Sequence, residues 1–92
     1  MKFMITWAFP TGNIPEAAER FLAGEAAPEA GVKLLGRWHN VDCSGGFVLY
    51  ETDDAVALYK DAAKWGDLLE LTTVAVIEDG DAAPVLAERF KK

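Results

Sequence analysis

Residues 31–51 read Gly-Val-Lys-Leu-Leu-Gly-Arg-Trp-His-Asn-Val-Asp-Cys-Ser-Gly-Gly-Phe-Val-Leu-Tyr-Glu. Two runs rich in branched and aromatic residues, 32–40 and 46–51, flank a polar turn that contains glycine. That is the pattern of a β-hairpin. The hairpin also holds Arg37, Trp38 and the chain's one histidine, His39, and its one cysteine, Cys43. Any chemistry is to be sought here first.

Outward from the hairpin, each side repeats one layout. On the N-terminal side, Lys2–Ala8 alternates as a strand and is broken by Pro10-Thr11-Gly12. Asn13 then stands where a helix cap belongs, with Pro15 in the first turn and Glu16 three residues on. Ile14, Ala17, Ala18, Phe21 and Leu22 supply an apolar helix face, and Gly24 a stop. Residues 25–31, rich in Ala and Pro, read as a loop.

On the C-terminal side, Thr52-Asp53-Asp54 opens a second helix with acidic groups at its positive end. The expected buried stripe is Ala55, Leu58, Tyr59 and Ala62, extended by Trp65, with Lys60, Asp61 and Lys64 facing water. Gly66 ends it. Residues 69–77 read as a fourth strand, 78–81 as a turn and 82–90 as a short C-terminal helix.

The order is strand–helix–strand, strand–helix–strand, then a further helix. This predicts an α+β domain, residues 1–92, of the ferredoxin-like βαββαβ pattern with a four-stranded antiparallel sheet and an extra C-terminal helix. Helices in this pattern cover one sheet face, so a lone subunit should show a polar second face. Alternation does not give one: Phe3, Ile5 and Trp7 oppose Met4, Thr6 and Ala8, while Phe47 and Leu49 oppose Val48 and Tyr50. A second subunit packed sheet against sheet would cover the surplus. The competing account folds the C-terminal helix over part of that face.

Totals narrow the function. A chain of 92 residues forms one domain, and 51% apolar residues give ample core material. Nine basic against 15 acidic side chains leave a net charge of −6, without the positive footprint that phosphate backbones or anionic membranes require. Nucleic acid and membrane are therefore not expected partners. One cysteine makes no intrachain disulfide. No run approaches the roughly 20 apolar residues of a membrane span, and the opening segment lacks a signal peptide's form. A soluble cytoplasmic protein is the simplest expectation.

The segment Val32-Lys33-Leu34-Leu35-Gly36-Arg37-Trp38-His39 resembles the central signature of a small bacterial family of unknown function. So do the Asp42, Ser44, Gly46-Phe47 spacing, Glu51, Asp53-Asp54, Trp65 with Asp67-Leu68-Leu69-Glu70, and the opening Met1-Lys2-Phe3-Met4. The family pattern carries a proline near Ala75 that this chain lacks. The family is similar to the dimeric α+β barrel superfamily, which implies two ferredoxin-like subunits with their sheets packed together. That superfamily includes cofactor-free monooxygenases, haem-degrading enzymes, muconolactone isomerases and proteins without known activity, so it informs the fold more than the function.

Strict alternation would put Leu35, Arg37 and His39 on one strand face and Leu34, Gly36 and Trp38 on the other. Arg37 and His39 together could hold a carboxylate or enolate and move a proton. The plainer account leaves both in solvent at the strand end, or paired with Asp42 or Glu51. Trp7, Trp38 and Trp65 could wall a pocket for a flat apolar ligand, or fill the core, as suits Trp65 on its helix. His39, Asp42 and Cys43 are metal-ligand types, but one loop with no second ligand cluster is not a zinc spacing. Ser44-Gly45-Gly46 suits a turn better than an anion nest. No Walker loop or dinucleotide fingerprint occurs.

The expectation is a homodimeric small-molecule pocket protein: a cofactor-free monooxygenase or an isomerase, with His39 and Arg37 as catalytic groups and Trp7, Trp38 and Leu35 as ligand contacts. No metal or cofactor is assigned, and the expected ligand is small and apolar or aromatic. The alternative is a non-catalytic dimeric interaction or ligand-sensing module. Haem degradation, drawn from the superfamily and from His39 near tryptophans, is a third and weaker reading.

Overall fold

The computed structural model describes residues 1–10 and 12–91; Thr11, in the expected strand break, and Lys92 lie outside them. The elements are β1 Lys2–Ala8, α1 Ile14–Leu22, β2 Lys33–His39, β3 Gly45–Glu51, α2 Ala55–Trp65, β4 Glu70–Val76 and α3 Asp79–Phe90. The four strands form one antiparallel sheet in the order β2-β3-β1-β4. This is the ferredoxin-like pattern with an added C-terminal helix.

Cross-strand register places three rows on one face. Phe3 stands beside Tyr50 and Ala75, Ile5 beside Val48 and Thr73, and Trp7 beside Gly46 and Leu71. Ile5, Val48 and Tyr50 join Val32, Ala57 and Leu58 in the buried core, with Phe3, Trp7 and Leu71 packed against it. Burying each aliphatic side chain of this set contributes about 1.5–3 kcal/mol.

The ends of α1 and α2 are fixed differently. Asp54 caps α2, its Oδ1 accepting from the backbone N–H of Val56 at 3.0 Å and of Ala57 at 3.1 Å. Buried Thr52 braces that turn by donating to the Gly31 carbonyl at 2.8 Å and accepting from the Asp54 N–H at 3.0 Å. Asn13, expected to cap α1, makes no such bond; its Nδ2 donates to the Leu68 carbonyl at 3.2 Å. Its amide spans to the loop before β4 and leaves Pro15, which lacks an N–H, to ease the helix start. Arg20 in the last turn of α1 grips Asp67 through two hydrogen bonds of 3.1 and 2.8 Å, tying the helix to the same loop.

Three further expectations are corrected. On α2 the buried residues are Ala57, Leu58 and Asp61, while Tyr59 is 73% exposed. The stripe is rotated because Asp61 has polar neighbours on the sheet and can turn inward. The C-terminal helix begins at Asp79, so the expected turn at 78–81 is its first turn and Pro84 falls inside it. Asp79 and Asp81 sit at its positive end, which favours the earlier start. Finally, β2 does not alternate strictly. Leu34 pairs with Tyr50 and Gly36 with Leu49, so Leu35 is the extra residue of a β-bulge.

The second sheet face is not covered by α3. No residue of α3 is buried, and Val85, Leu86 and Phe90 are more than half exposed. Trp38 lies over Gly36 and stacks on Phe47, with ring centroids 5.2 Å apart, on this open face. The Cα radius of gyration, 15.7 Å, exceeds the roughly 12 Å expected for this length. Among the described residues, no helix is long and apolar enough to cross a membrane.

Candidate functional site

Between α1, α2 and the sheet lies a cavity of about 460 Å³. The helices do not close fully on the strands. α1 buries only Ala17 fully, and Phe21 stays partly open to the gap. Apolar side chains dominate the wall: Trp7 and Leu71 from the sheet, Phe21 from α1, and Trp65 from α2.

Arg37 and His39 both face this cavity, as alternation along β2 requires beyond the bulge. His39 pairs across the sheet with Gly46, which pairs in turn with Trp7. A Cβ on Gly46 would lie 2.6 Å from the Trp7 ring, so glycine here makes room for the indole. The imidazole meets the edges or faces of Trp7 and Phe21, each at 5.3 Å between centroids. Such pairs contribute about 0.5–1.5 kcal/mol beyond area burial and fix the ring's orientation. His39 remains exposed, which places it at the cavity mouth.

Arg37 stands one row deeper, beside Val48. Its Nη2 donates to the Ala26 carbonyl at 2.7 Å, and its guanidinium lies 5.7 Å from the centre of the Phe21 ring. These contacts hold the long side chain against the wall.

Sequence reasoning missed three polar residues of the cavity: Tyr50, Asp61 and Asn40. Tyr50 is 3% and Asp61 6% exposed. The Tyr50 hydroxyl lies close enough to interact with both the Asp61 carboxyl and the Arg37 guanidinium. Burial pushes the Asp61 carboxyl above the ordinary carboxylate range, against the opposing pull of Tyr50, Lys64 and Arg37. Burial and the Asp61 charge push the Tyr50 hydroxyl up as well. The available signal was a shared face: Tyr50 is two residues from Val48 on β3, and Asp61 follows Leu58 by three on α2.

The other expected ligand contacts stand apart. Trp38 is on the open face, stacked on Phe47, and Leu35 occupies the bulge; neither lines the cavity. Trp7 does line it, and so does Trp65, the tryptophan expected to fill the core.

In the hairpin turn, Asp42 accepts from the Ser44 N–H at 3.1 Å and from its hydroxyl at 2.6 Å. These bonds hold the Asp42 carboxyl below its usual range. The aspartate thus closes the turn and does not pair with His39. Cys43 is exposed, with φ of 64°. Among the described residues, no three His, Cys, Asp or Glu side chains gather closely enough to hold a metal ion.

No curated protein matches the chain. A solved structure, Rv0793 from Mycobacterium tuberculosis, is similar with a TM-score of 0.50 and 15% identity, over 85% of this chain and 96% of that one. A second, from Deinococcus radiodurans and provisionally named an antibiotic biosynthesis monooxygenase, has a TM-score of 0.44 and 14% identity, over 85% and 94%. At such identity the likeness concerns the fold alone. Residues 1–90 match the family described as Domain of unknown function (DUF3303), and the chain belongs to that family.

Proposed function

We propose that the protein, a single domain over residues 1–92, binds a small apolar or aromatic molecule in the cavity and acts on it by proton transfer. The observation that carries this reading is one half-open apolar cavity with a histidine at its mouth and an arginine deeper in the wall. His39, oriented by Trp7 and Phe21, is placed to take a proton from a bound substrate. Arg37, one row away on the same face, is placed to stabilise the anion that results. Proton removal of this kind opens both an isomerisation and a cofactor-free oxygenation.

The reading includes a cytoplasmic homodimer. Trp38 and Phe47 are exposed on the sheet face opposite the cavity, and α3 buries none of its residues. A second copy packed against this face would cover them. The same face supports the alternative of a non-catalytic interaction or ligand-sensing module.

Native mass spectrometry of protein purified without added ligand tests both parts. A dimer with extra bound mass, lost in His39→Ala and Arg37→Ala variants that still fold, is the expected result. A bare dimer favours the interaction module. A monomer at micromolar concentration overturns the dimer. Equal ligand retention and activity in both variants overturn their assigned roles.

A further inference from the structure

Most of the cavity wall is apolar, and its ionisable groups fall into two places. His39 marks the mouth, on the hairpin that also brings Cys43 to the wall. Two rows along the sheet from Gly46, or roughly 13 Å at about 3.3 Å per residue, stands Tyr50. Tyr50, Asp61 and Arg37 form a second polar centre there, contributed by β3, α2 and β2. Tyr50 and Asp61 are each more than nine-tenths buried.

We infer that this Asp61–Tyr50–Arg37 centre selects a neutral ligand, one carrying a hydroxyl or carbonyl group on an apolar ring body. The inference rests on the cavity reading above and names the ligand class it admits. Three considerations support it.

Arg37 already has protein partners, so it suits a charge that develops on a bound neutral substrate better than a ligand that arrives charged. The Arg37 guanidinium donates to the Ala26 carbonyl and faces Tyr50 and Asp61. A carboxylate entering here would share Arg37 with Asp61 and be repelled by it wherever Asp61 is ionised. A cationic ligand would meet the fixed charge of Arg37. A neutral hydroxyl faces neither penalty: it can donate to the Asp61 carboxylate or accept from the Tyr50 hydroxyl or the guanidinium.

An apolar molecule without a polar atom would also be disfavoured. Filling the cavity with it would strip any water from Tyr50 and Asp61 and give no hydrogen bond in return. The site should therefore separate molecules of the same shape by one polar atom. Sites that bond a ligand hydroxyl reject its hydrogen analogue strongly, because their own polar groups are left unpaired.

Three probes sharing one ring system test this: 2-naphthol, naphthalene and 2-naphthoate, titrated at neutral pH into ¹⁵N-labelled full-length protein and followed by the Trp7 and Trp65 indole resonances. In the wild type, 2-naphthol is expected to bind at least about tenfold more tightly than either of the others. Tyr50→Phe should shrink its advantage over naphthalene. Asp61→Asn keeps the size of the side chain and removes its charge, so the disadvantage of 2-naphthoate should shrink selectively. Equal binding of naphthol and naphthalene would leave the cavity reading standing and overturn this inference. Tightest binding by 2-naphthoate in the wild type would overturn it in favour of an anion site at Arg37. Failure of all three to shift either indole would overturn both readings.

Discussion

His39 and Trp7 meet edge to face, with ring centroids 5.3 Å apart, across a glycine that pairs with both of them. Gly46 therefore decides whether the two rings can share the cavity mouth. Gly46→Ala should displace both β2 and the Trp7 indole, because its Cβ would press closest on the Trp38 carbonyl oxygen and sit 2.6 Å from the indole, at a cost of about 1–3 kcal/mol. Urea unfolding checks the stability, and the shift of the His39 ring protons checks the loss of ring contact. An unchanged midpoint and unchanged shifts would contradict the crowding argument.

Asp61 gives stability a pH dependence of defined sign. Its carboxyl holds a proton more readily in the folded chain than in the unfolded one, where the value is about 3.9. Its contribution is fully present below that value and is lost as pH rises through the higher folded-state value. The charged or titratable neighbours are Tyr50 on β3, Arg37 on β2, Lys64 on α2 and Glu29 before β2. Asp61→Asn should remove this decline. The difference between wild-type and variant unfolding curves, from acid to neutral pH, isolates it from Asp67, whose lowered value makes its own contribution vanish as pH falls. A pH-independent difference would show that Asp61 is not shifted upward.

Asp54→Ala should cost about 1 kcal/mol, because two N–H groups at the start of α2 lose their acceptor. Asn13→Ala should act differently, since Asn13 caps nothing and instead donates to Leu68. Hydrogen exchange separates the two: faster exchange at Val56 and Ala57 in the first variant, and loosening of the loop before β4 in the second. Faster exchange at the start of α1 alone in Asn13→Ala would count against this distinction.

Phe47→Lys should dissociate any dimer formed through the open sheet face, with the cavity unaffected, because Phe47 and the cavity lie on opposite sides of the sheet. Sedimentation of the variant beside the wild type measures this. A variant as dimeric as the wild type would place the contact elsewhere.

Much of this molecule was legible from pattern alone. Strand order, the hairpin and the helices follow from periodicity and turn residues, and β1 has the bounds its alternation suggests. Arg37 and His39 share the cavity because both lie after the bulge, where period-two counting holds. Counting failed across residues 34–36, since nothing local marks Leu35 as unpaired. It failed at Tyr59 and Asp61 for another reason. A polar residue next to an apolar stripe reads as solvent-facing unless its partner is known, and that partner, Tyr50, comes from a strand 11 residues earlier. Whether two elements leave a gap between them depends on how they seat, which no single segment encodes.

The Leu35 bulge has a consequence for how this domain can vary. Deleting Leu35 would leave Leu34 opposite Tyr50 and Gly36 opposite Leu49, so plain alternation would return with Arg37 and His39 still on the cavity side. Keeping Leu35 but losing the bulge has the opposite result: Leu35 would pair with Leu49, Trp38 would swing into the cavity, and Arg37 and His39 would turn outward to the open face. One extra residue in the strand is thus what keeps an arginine and a histidine, and not a tryptophan, on the cavity side. Homologous sequences that differ in length at this point should be aligned from the hairpin turn, not from the strand start, before their pocket residues are compared.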